Sequence, residues 1–105
     1  MSTTQPEADK IFTQVQQVAE ARIRPMMGEY ILYVDEKVIG QINDGLLYIK
    51  ITPFGESFAP NLKQRAPYPG AKPAFVVSLE NMSNSDWLRD FVAGTVAQLP
   101  DPKKK

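Results

Sequence analysis

The sequence predicts an α+β fold, a two-layer sandwich in which helices at both ends of the chain cover an antiparallel sheet. Helical periodicity appears near both termini, short β-branched segments alternate with turn residues in the middle, and a further β-rich segment follows a proline-rich loop. The predicted order is α-β-β-β-loop-β-α, with a four-stranded sheet made of a meander plus one strand. A chain of 105 residues suits one modest core. We therefore expect one domain over 1–105, with flexible tails at 1–6 and 101–105.

The first predicted element is an amphipathic helix that begins at Glu7. Residues on one side of it recur at three- and four-residue steps: Ala8, Ile11, Phe12, Val15, Val18, Ala19 and Arg22. Pro6 suits the first turn of a helix. Because Pro25 disfavours helical φ and ψ at Arg24, we expect the helix to end by Ile23.

Three strands are predicted next, at about residues 29–34, 38–42 and 46–51, where apolar, β-branched and aromatic residues crowd together. Asn43-Asp44-Gly45 is the strongest turn signal, since Gly45 can adopt the positive φ of a primed turn without steric cost. Asp35-Glu36-Lys37 is a second, weaker reversal. Tyrosines within these strands, including Tyr48, are interpreted as ordinary sheet packing.

Alternation within the first strand predicts the two faces of the sheet. Tyr30, Leu32 and Val34 fall on one face, and Ile31 and Tyr33 fall on the other. One face must carry the helices. The other is either partly covered or available to a partner.

Residues 52–73 contain five prolines and two glycines, which predicts an irregular loop with a short helical turn at about 57–62. A fourth strand is predicted at 74–79. The last element is an amphipathic helix for which Ser83, Asn84 or Ser85 would be the N-cap, and Pro100 would end it.

Composition argues against catalysis and metal binding. The chain has no histidine, no cysteine and zero formal net charge, so the usual general base and the thiolate and imidazole ligands are missing. Glu29, Asp35 and Glu36 could serve a carboxylate-based enzyme or bind Mg²⁺ or Ca²⁺, but we interpret them as solvated strand-end and turn residues. We expect no catalytic residue, no cofactor and no metal. The N-terminus shows no signal-peptide apolar region, so we expect a cytoplasmic protein.

Several motifs, in order, resemble the N-terminal domain of the TfoX/Sxy family, proteins linked to bacterial natural competence. They are Arg24, Met26-Met27-Gly28, the Asp35–Lys37 turn, Asp44-Gly45-Leu46-Leu47-Tyr48-Ile49-Lys50 and Pro69-Gly70-Ala71-Lys72-Pro73. The resemblance runs from about Asp9 to Leu99 and is strongest to the short single-domain branch. The family's Met-Phe-Gly-Gly is Met26-Met27-Gly28-Glu29 here, and Glu36 replaces the usual turn glycine.

The resemblance implies a fold similar to type III secretion chaperones and a regulatory or interaction role without a reaction. The leading hypothesis is therefore a protein-interaction module that binds an unidentified protein partner, with self-association as a homodimer as an option. The candidate partner-binding residues are Arg24, Met26, Glu29, Arg65, Tyr68 and Lys72. Of the two adjacent methionines, we expect Met27 to fill the core.

The alternative is a weak nucleic-acid-binding protein. From Lys50 to Lys72, four cations oppose only Glu56. Such a protein would use Lys50, Lys63, Arg65 and Lys72 together with the lysine tail at 103–105. The neutral net charge provides no global field to attract nucleic acid, and we expect none to bind.

The missing histidine and cysteine give the first testable expectation. Protein purified without metal-affinity chromatography should hold no stoichiometric transition metal, because the usual ligands are absent. Elemental analysis measures this directly, and stoichiometric zinc, iron or copper would contradict our interpretation of the acidic residues.

Overall fold

The computed structural model describes residues 4–99, and it confirms an α+β fold with an antiparallel sheet. The sheet has six strands where the sequence predicted four, and four helices are present where two were predicted. In chain order the elements are α1 (Gln5–Gln16), β1 (Ala21–Met26), β2 (Glu29–Val34), β3 (Lys37–Asn43), β4 (Leu46–Lys50), α2 (Pro53–Phe58), β5 (Gln64–Arg65), β6 (Ala74–Val77), α3 (Leu79–Met82) and α4 (Ser85–Gln98). The strand order across the sheet is β1-β2-β3-β4-β6-β5.

A capping box starts α1 earlier than the sequence predicted. The Glu7 backbone N–H donates to Thr4 Oγ1 at 3.3 Å, and the Thr4 backbone N–H donates to Glu7 Oε1 at 2.9 Å. These bonds satisfy two donors that a helix start leaves unpaired. Residues 4–6 therefore belong to the helix and its cap, and their assignment to a flexible tail was wrong. The remaining tail residues, 1–3 and 101–105, lie outside the described residues.

The end of α1 was also predicted wrongly, because residues expected in the helix form the edge strand β1. Between residues 15 and 23 the apolar spacing fits a helix, but Ala21 and Ile23 also alternate as a strand requires, and both are half-buried. Pairing with β2 decides between these patterns. Pro25 is tolerated because an edge strand has one unpaired side.

Three two-residue turns connect β1 to β4 as a meander. Their residues all have positive φ: Met27 52° and Gly28 84°, Asp35 52° and Glu36 67°, Asp44 53° and Gly45 75°. Positive φ at both positions matches the primed turn that suits twisted hairpins. The predicted positive φ of Gly45 is confirmed. The expectation that Met27 fills the core is wrong, since this residue sits at a turn tip and is 94% exposed.

The strand register separates the sheet into two faces, because paired residues on adjacent strands share a face. The helix face carries the core residues of the sheet: Leu32, Val34, Ile39, Ile42, Leu47, Ile49, Phe75 and Val77. A bulge in β3 between Val38 and Gly40 lets Ile39 lie on the helix face. That other face, called the open face below, carries Arg22, Arg24, Ile31, Tyr33, Val38, Gln41, Tyr48, Lys50 and Arg65. The predicted separation of Leu32 and Val34 from Ile31 and Tyr33 is confirmed, and the helices cover the face of Leu32 and Val34.

The helices complete the core from one side. α4 begins at the predicted position, with Asn84 Oδ1 accepting from the Trp87 N–H at 3.1 Å, and it buries Leu88, Phe91 and Val92. α2 lies earlier than the short helical turn expected at about 57–62, because Pro53 occupies the first helical turn after the N-cap Thr52. No helix within residues 4–99 is long and apolar enough to cross a membrane.

Replacement of Gly45 tests the turn that fixes the β3–β4 register. Gly45→Val should lower the free energy of unfolding by about 1 kcal/mol or more, because a β-branched residue is strained at positive φ. Gly45→Asn is the matched control, since asparagine also adds a Cβ atom but tolerates this conformation. Thermal unfolding of the three proteins measures the effect. Equal stability of the valine variant and the wild type would contradict the turn assignment.

Candidate functional site

A groove of about 640 Å³ crosses the open face of the sheet. Its volume lies within the range of roughly 300–1,000 Å³ that is usual for ligand sites. One wall is the loop 66–73 between β5 and β6, which returns across the sheet as far as β3. The lining residues include Ile31, Val38, Gln41, Tyr48 and Lys50 from the strands, and Pro67, Tyr68, Ala71 and Lys72 from the loop.

The loop 66–73 is attached to the sheet by a buried amide. Asn43, at the end of β3, is 6% exposed, and its Nδ2 donates to the Pro67 carbonyl at 3.3 Å. The Oδ1 atom of the same side chain has no hydrogen-bond partner among the described residues. Within the loop, the Ala71 N–H donates to the Tyr68 carbonyl at 3.1 Å. The groove wall is therefore held at both its start and its centre.

A buried tyrosine at the groove floor is held by an arginine. Tyr48 is 2% exposed, and Arg65 Nη2 donates to its hydroxyl oxygen at 2.7 Å. The guanidinium carbon lies 5.8 Å from the centre of the Tyr48 ring. Since the oxygen accepts from Arg65, the hydroxyl hydrogen remains available, and no described residue accepts it. Tyr48 can therefore donate to a bound group.

The charged groups that line the groove all have the same sign. Lys50 and Lys72 are exposed lysines in its wall and floor, and none of the described lining residues carries a carboxylate. Arg65 is the register partner of Ala74, which pairs with Lys50, so its side chain belongs to the same face. The groove is consequently an electropositive site with an apolar floor.

Three of the predicted partner-binding residues meet at this groove. Tyr68 and Lys72 line it, and Arg65 contacts its floor through Tyr48. Tyr68 is 52% exposed, so much of its ring is available to a partner.

The other three predicted residues lie on the same face but nearer the opposite edge. Arg24 pairs with Ile31, which lines the groove, and Met26 pairs with Glu29 beside the first hairpin turn. Arg24 and Arg65 stand on the two edge strands, about 24 Å apart at roughly 4.8 Å per strand. The six residues therefore form two groups on one face.

Acidic side chains near β1 form an ion pair and a hydrogen bond with nearby residues. Glu36 binds Arg22 at 2.8 Å, and the Arg22 guanidinium also stacks over the Tyr33 ring at 4.0 Å. Glu29 accepts a hydrogen bond from the Asp44 N–H at 3.1 Å. Among residues 4–99, acidic side chains form no group of three that could hold a metal ion.

The ion pair between Arg22 and Glu36 changes the titration of both groups. The hydrogen bond from Arg22 holds the pKa of the Glu36 carboxyl below its usual range, and the attraction of the two charges adds to this. The same hydrogen bond raises the pKa of Arg22. The pair thus stabilises the ionised form of a turn residue that has positive φ.

The sequence did not lead us to predict that Tyr48 forms part of a groove floor. Tyr48 was interpreted as sheet packing, which its burial supports, but its hydroxyl also faces the groove. The available signal was the two-residue period of β4, which places Tyr48 and Lys50 on one face. The contact with Arg65 carries no sequence signal because β5 has only two residues.

The Arg22–Glu36 pair predicts a pH-dependent stability difference. Near neutral pH the wild type should melt above Glu36→Gln, by a small amount because the pair is exposed. A carboxyl with a lowered folded-state pKa contributes above its unfolded value of about 4.3, and this contribution is lost as pH falls through the folded-state pKa. The difference in melting temperature should therefore vanish in acid.

Calorimetry of both proteins between neutral pH and about pH 2 measures this loss. In an Arg22→Gln background, Glu36→Gln should produce no such pH-dependent change. A difference that stays constant down to the lowest pH would contradict the assigned pair.

Comparison with known proteins gives one informative relative. The chain is 39% identical over 84 residues to a protein of Spirochaeta aurantia named "Uncharacterized 12.7 kDa protein in trpE 5'region". The match covers 80% of this chain and 72% of the relative. No protein-family model matches the chain.

Proposed function

The chain belongs to the same family as this 12.7 kDa protein of Spirochaeta aurantia, and we propose that it is a non-catalytic module that binds another protein through the open face of its sheet. The groove beneath the loop 66–73 carries the proposal. It is an apolar concavity on the side of the sheet opposite the helices, and its wall is fixed by hydrogen bonds.

The chemistry of the groove suits a protein partner. Tyrosine and arginine are the residue types that supply much of the binding energy at protein interfaces, because they combine a large contact area with directional polar groups. Tyr68 is half exposed in the groove wall, and Arg65 is positioned by Tyr48. Exposed Met26 and Met27 add adaptable apolar surface at the other end of the same side of the molecule.

The resemblance to the TfoX/Sxy N-terminal domain supports a regulatory role in the cytoplasm for this module. That resemblance also suggests a fold similar to that of type III secretion chaperones. Neither argument requires a cofactor or a reacting group.

Nucleic-acid binding is the second candidate, favoured by the convergence of Lys50, Arg65 and Lys72 around one groove. Lys63 does not join them, since it lines a separate cavity beside Phe58 and Trp87 on the helix side. Three convergent cations would neutralise few phosphates, and affinity for nucleic acid scales with that number. This candidate therefore implies weak, salt-sensitive binding.

Capture of partners from extracts of the native cell tests the interaction module. Tyr68→Ala should abolish capture of the proteins that the wild type retains, because it removes the exposed aromatic anchor of the groove. Leu79→Ala is the matched control, since Leu79 is also an exposed apolar residue, 43% accessible, but lies outside the groove. Quantitative mass spectrometry compares the retained proteins. An identical set from all three baits would contradict the proposal.

Nucleic-acid titration tests the competing candidate. At about 0.15 M salt, where charges farther apart than roughly 8 Å are largely screened, we expect no appreciable binding of duplex or single strands. Fluorescence anisotropy with labelled oligonucleotides measures it. Submicromolar affinity that is lost in Arg65→Glu/Lys72→Glu would favour the nucleic-acid function over the interaction module.

A further inference from the structure

The groove has cations that no other part of the described chain neutralises. Neither Lys50 nor Lys72 forms an ion pair within residues 4–99, whereas Arg22 and Arg89 each bind a carboxylate. Unpaired lysines beside a concave apolar surface create a positive potential that favours an anionic ligand.

A donor at the floor reinforces this preference. The Tyr48 hydroxyl oxygen accepts from Arg65, and its hydrogen has no acceptor among residues 4–99, so the hydroxyl can donate to a ligand. Arg65 has further N–H groups, which bind carboxylates well because their geometry matches. The buried Tyr48 and the three cations thus provide a set of groups suited to carboxylate oxygens.

The rest of the floor is largely apolar, with Gln41 as a polar residue beside it. Ile31 and Val38 are half-buried on β2 and β3, and the exposed part of Tyr68 lies in the wall. A highly charged ligand would leave this surface without a complement. A ligand with both apolar and acidic side chains would contact both parts of the groove.

The dimensions fit an extended chain. From Ile31 on β2 to Ala74 on β6 the groove crosses three strand spacings, about 14 Å at roughly 4.8 Å each. An extended peptide advances about 3.3 Å per residue, so about four residues would span it.

We propose that the groove binds an extended segment of a partner protein in which a short run of apolar residues adjoins a short run of acidic ones. Its carboxylates contact Lys50, Lys72 and Arg65, one acceptor receives the Tyr48 hydroxyl hydrogen, and its apolar side chains pack on Ile31 and Val38. This inference rests on the proposed function and specifies the chemistry of the partner.

Fluorescence anisotropy with defined peptides tests the inference. Four labelled octapeptides join four leucine, isoleucine, valine or phenylalanine residues to four glutamates, and each has a counterpart with glutamine in place of glutamate. At about 0.15 M salt, at least one glutamate peptide should bind, and its glutamine counterpart should bind at least roughly tenfold more weakly, as expected for lost charge-assisted hydrogen bonds.

Charge reversal locates the binding. Lys50→Glu/Lys72→Glu should weaken binding by at least about tenfold, whereas Lys10→Glu/Arg89→Glu, with the same change in net charge outside the groove, should leave it nearly unchanged. Tyr48→Phe should also weaken binding, with circular dichroism to confirm that the variant is folded.

Each remaining outcome is decisive. If no glutamate peptide binds, or if glutamine peptides bind equally well, the acidic-segment inference is overturned, while Tyr68-dependent capture of partners would still support the interaction module. If capture does not depend on Tyr68, the proposed function itself fails. Tighter binding of an eight-nucleotide oligothymidylate than of every peptide would overturn the inference in favour of nucleic acid.

Discussion

The register of the β1–β4 meander is the constraint on which the rest of the structure depends. Three two-residue turns with positive φ fix it, and each joins strands whose pairing determines which side chains reach the core. A slip by one residue would exchange the two faces of a strand. Tyr48 would then enter the core while Ile49 turned outward, and the groove would lose its floor.

The sequence predicted the parts of this arrangement that depend on local chemistry. Gly45 specified its turn, and alternation in β2 specified the two faces. The parts that depend on tertiary pairing were not predictable. Residues 15–23 satisfy helical and strand spacing alike, and only β2 selects the strand. Arg65 contacts Tyr48 from a two-residue strand that has no sequence pattern of its own. Arg65, Tyr68 and Lys72 were therefore predicted from their residue types alone, and the contact with Tyr48 was not predicted.

Charge is distributed differently at the two ends of the open face. Near β1, Arg22 is matched by Glu36 and covers Tyr33, so its charge stabilises the fold and leaves little for a ligand. At the groove, Arg65 orients Tyr48 and two lysines remain unpaired within residues 4–99. The same face thus carries a neutralised arginine, Arg22, at one edge and an electropositive groove farther along the sheet.

The meander also has a consequence for the order of folding. Its contacts are local in sequence, and isolated hairpins form in roughly 1–10 μs, so β1–β4 can pair soon after synthesis. Their helix face is covered by α1, which is synthesised first, and by α4, which begins only at Ser85. During synthesis the ribosome therefore presents a nascent sheet whose hydrophobic surface is covered only in part until α4 has emerged, and in that interval chaperones have their best opportunity to bind it.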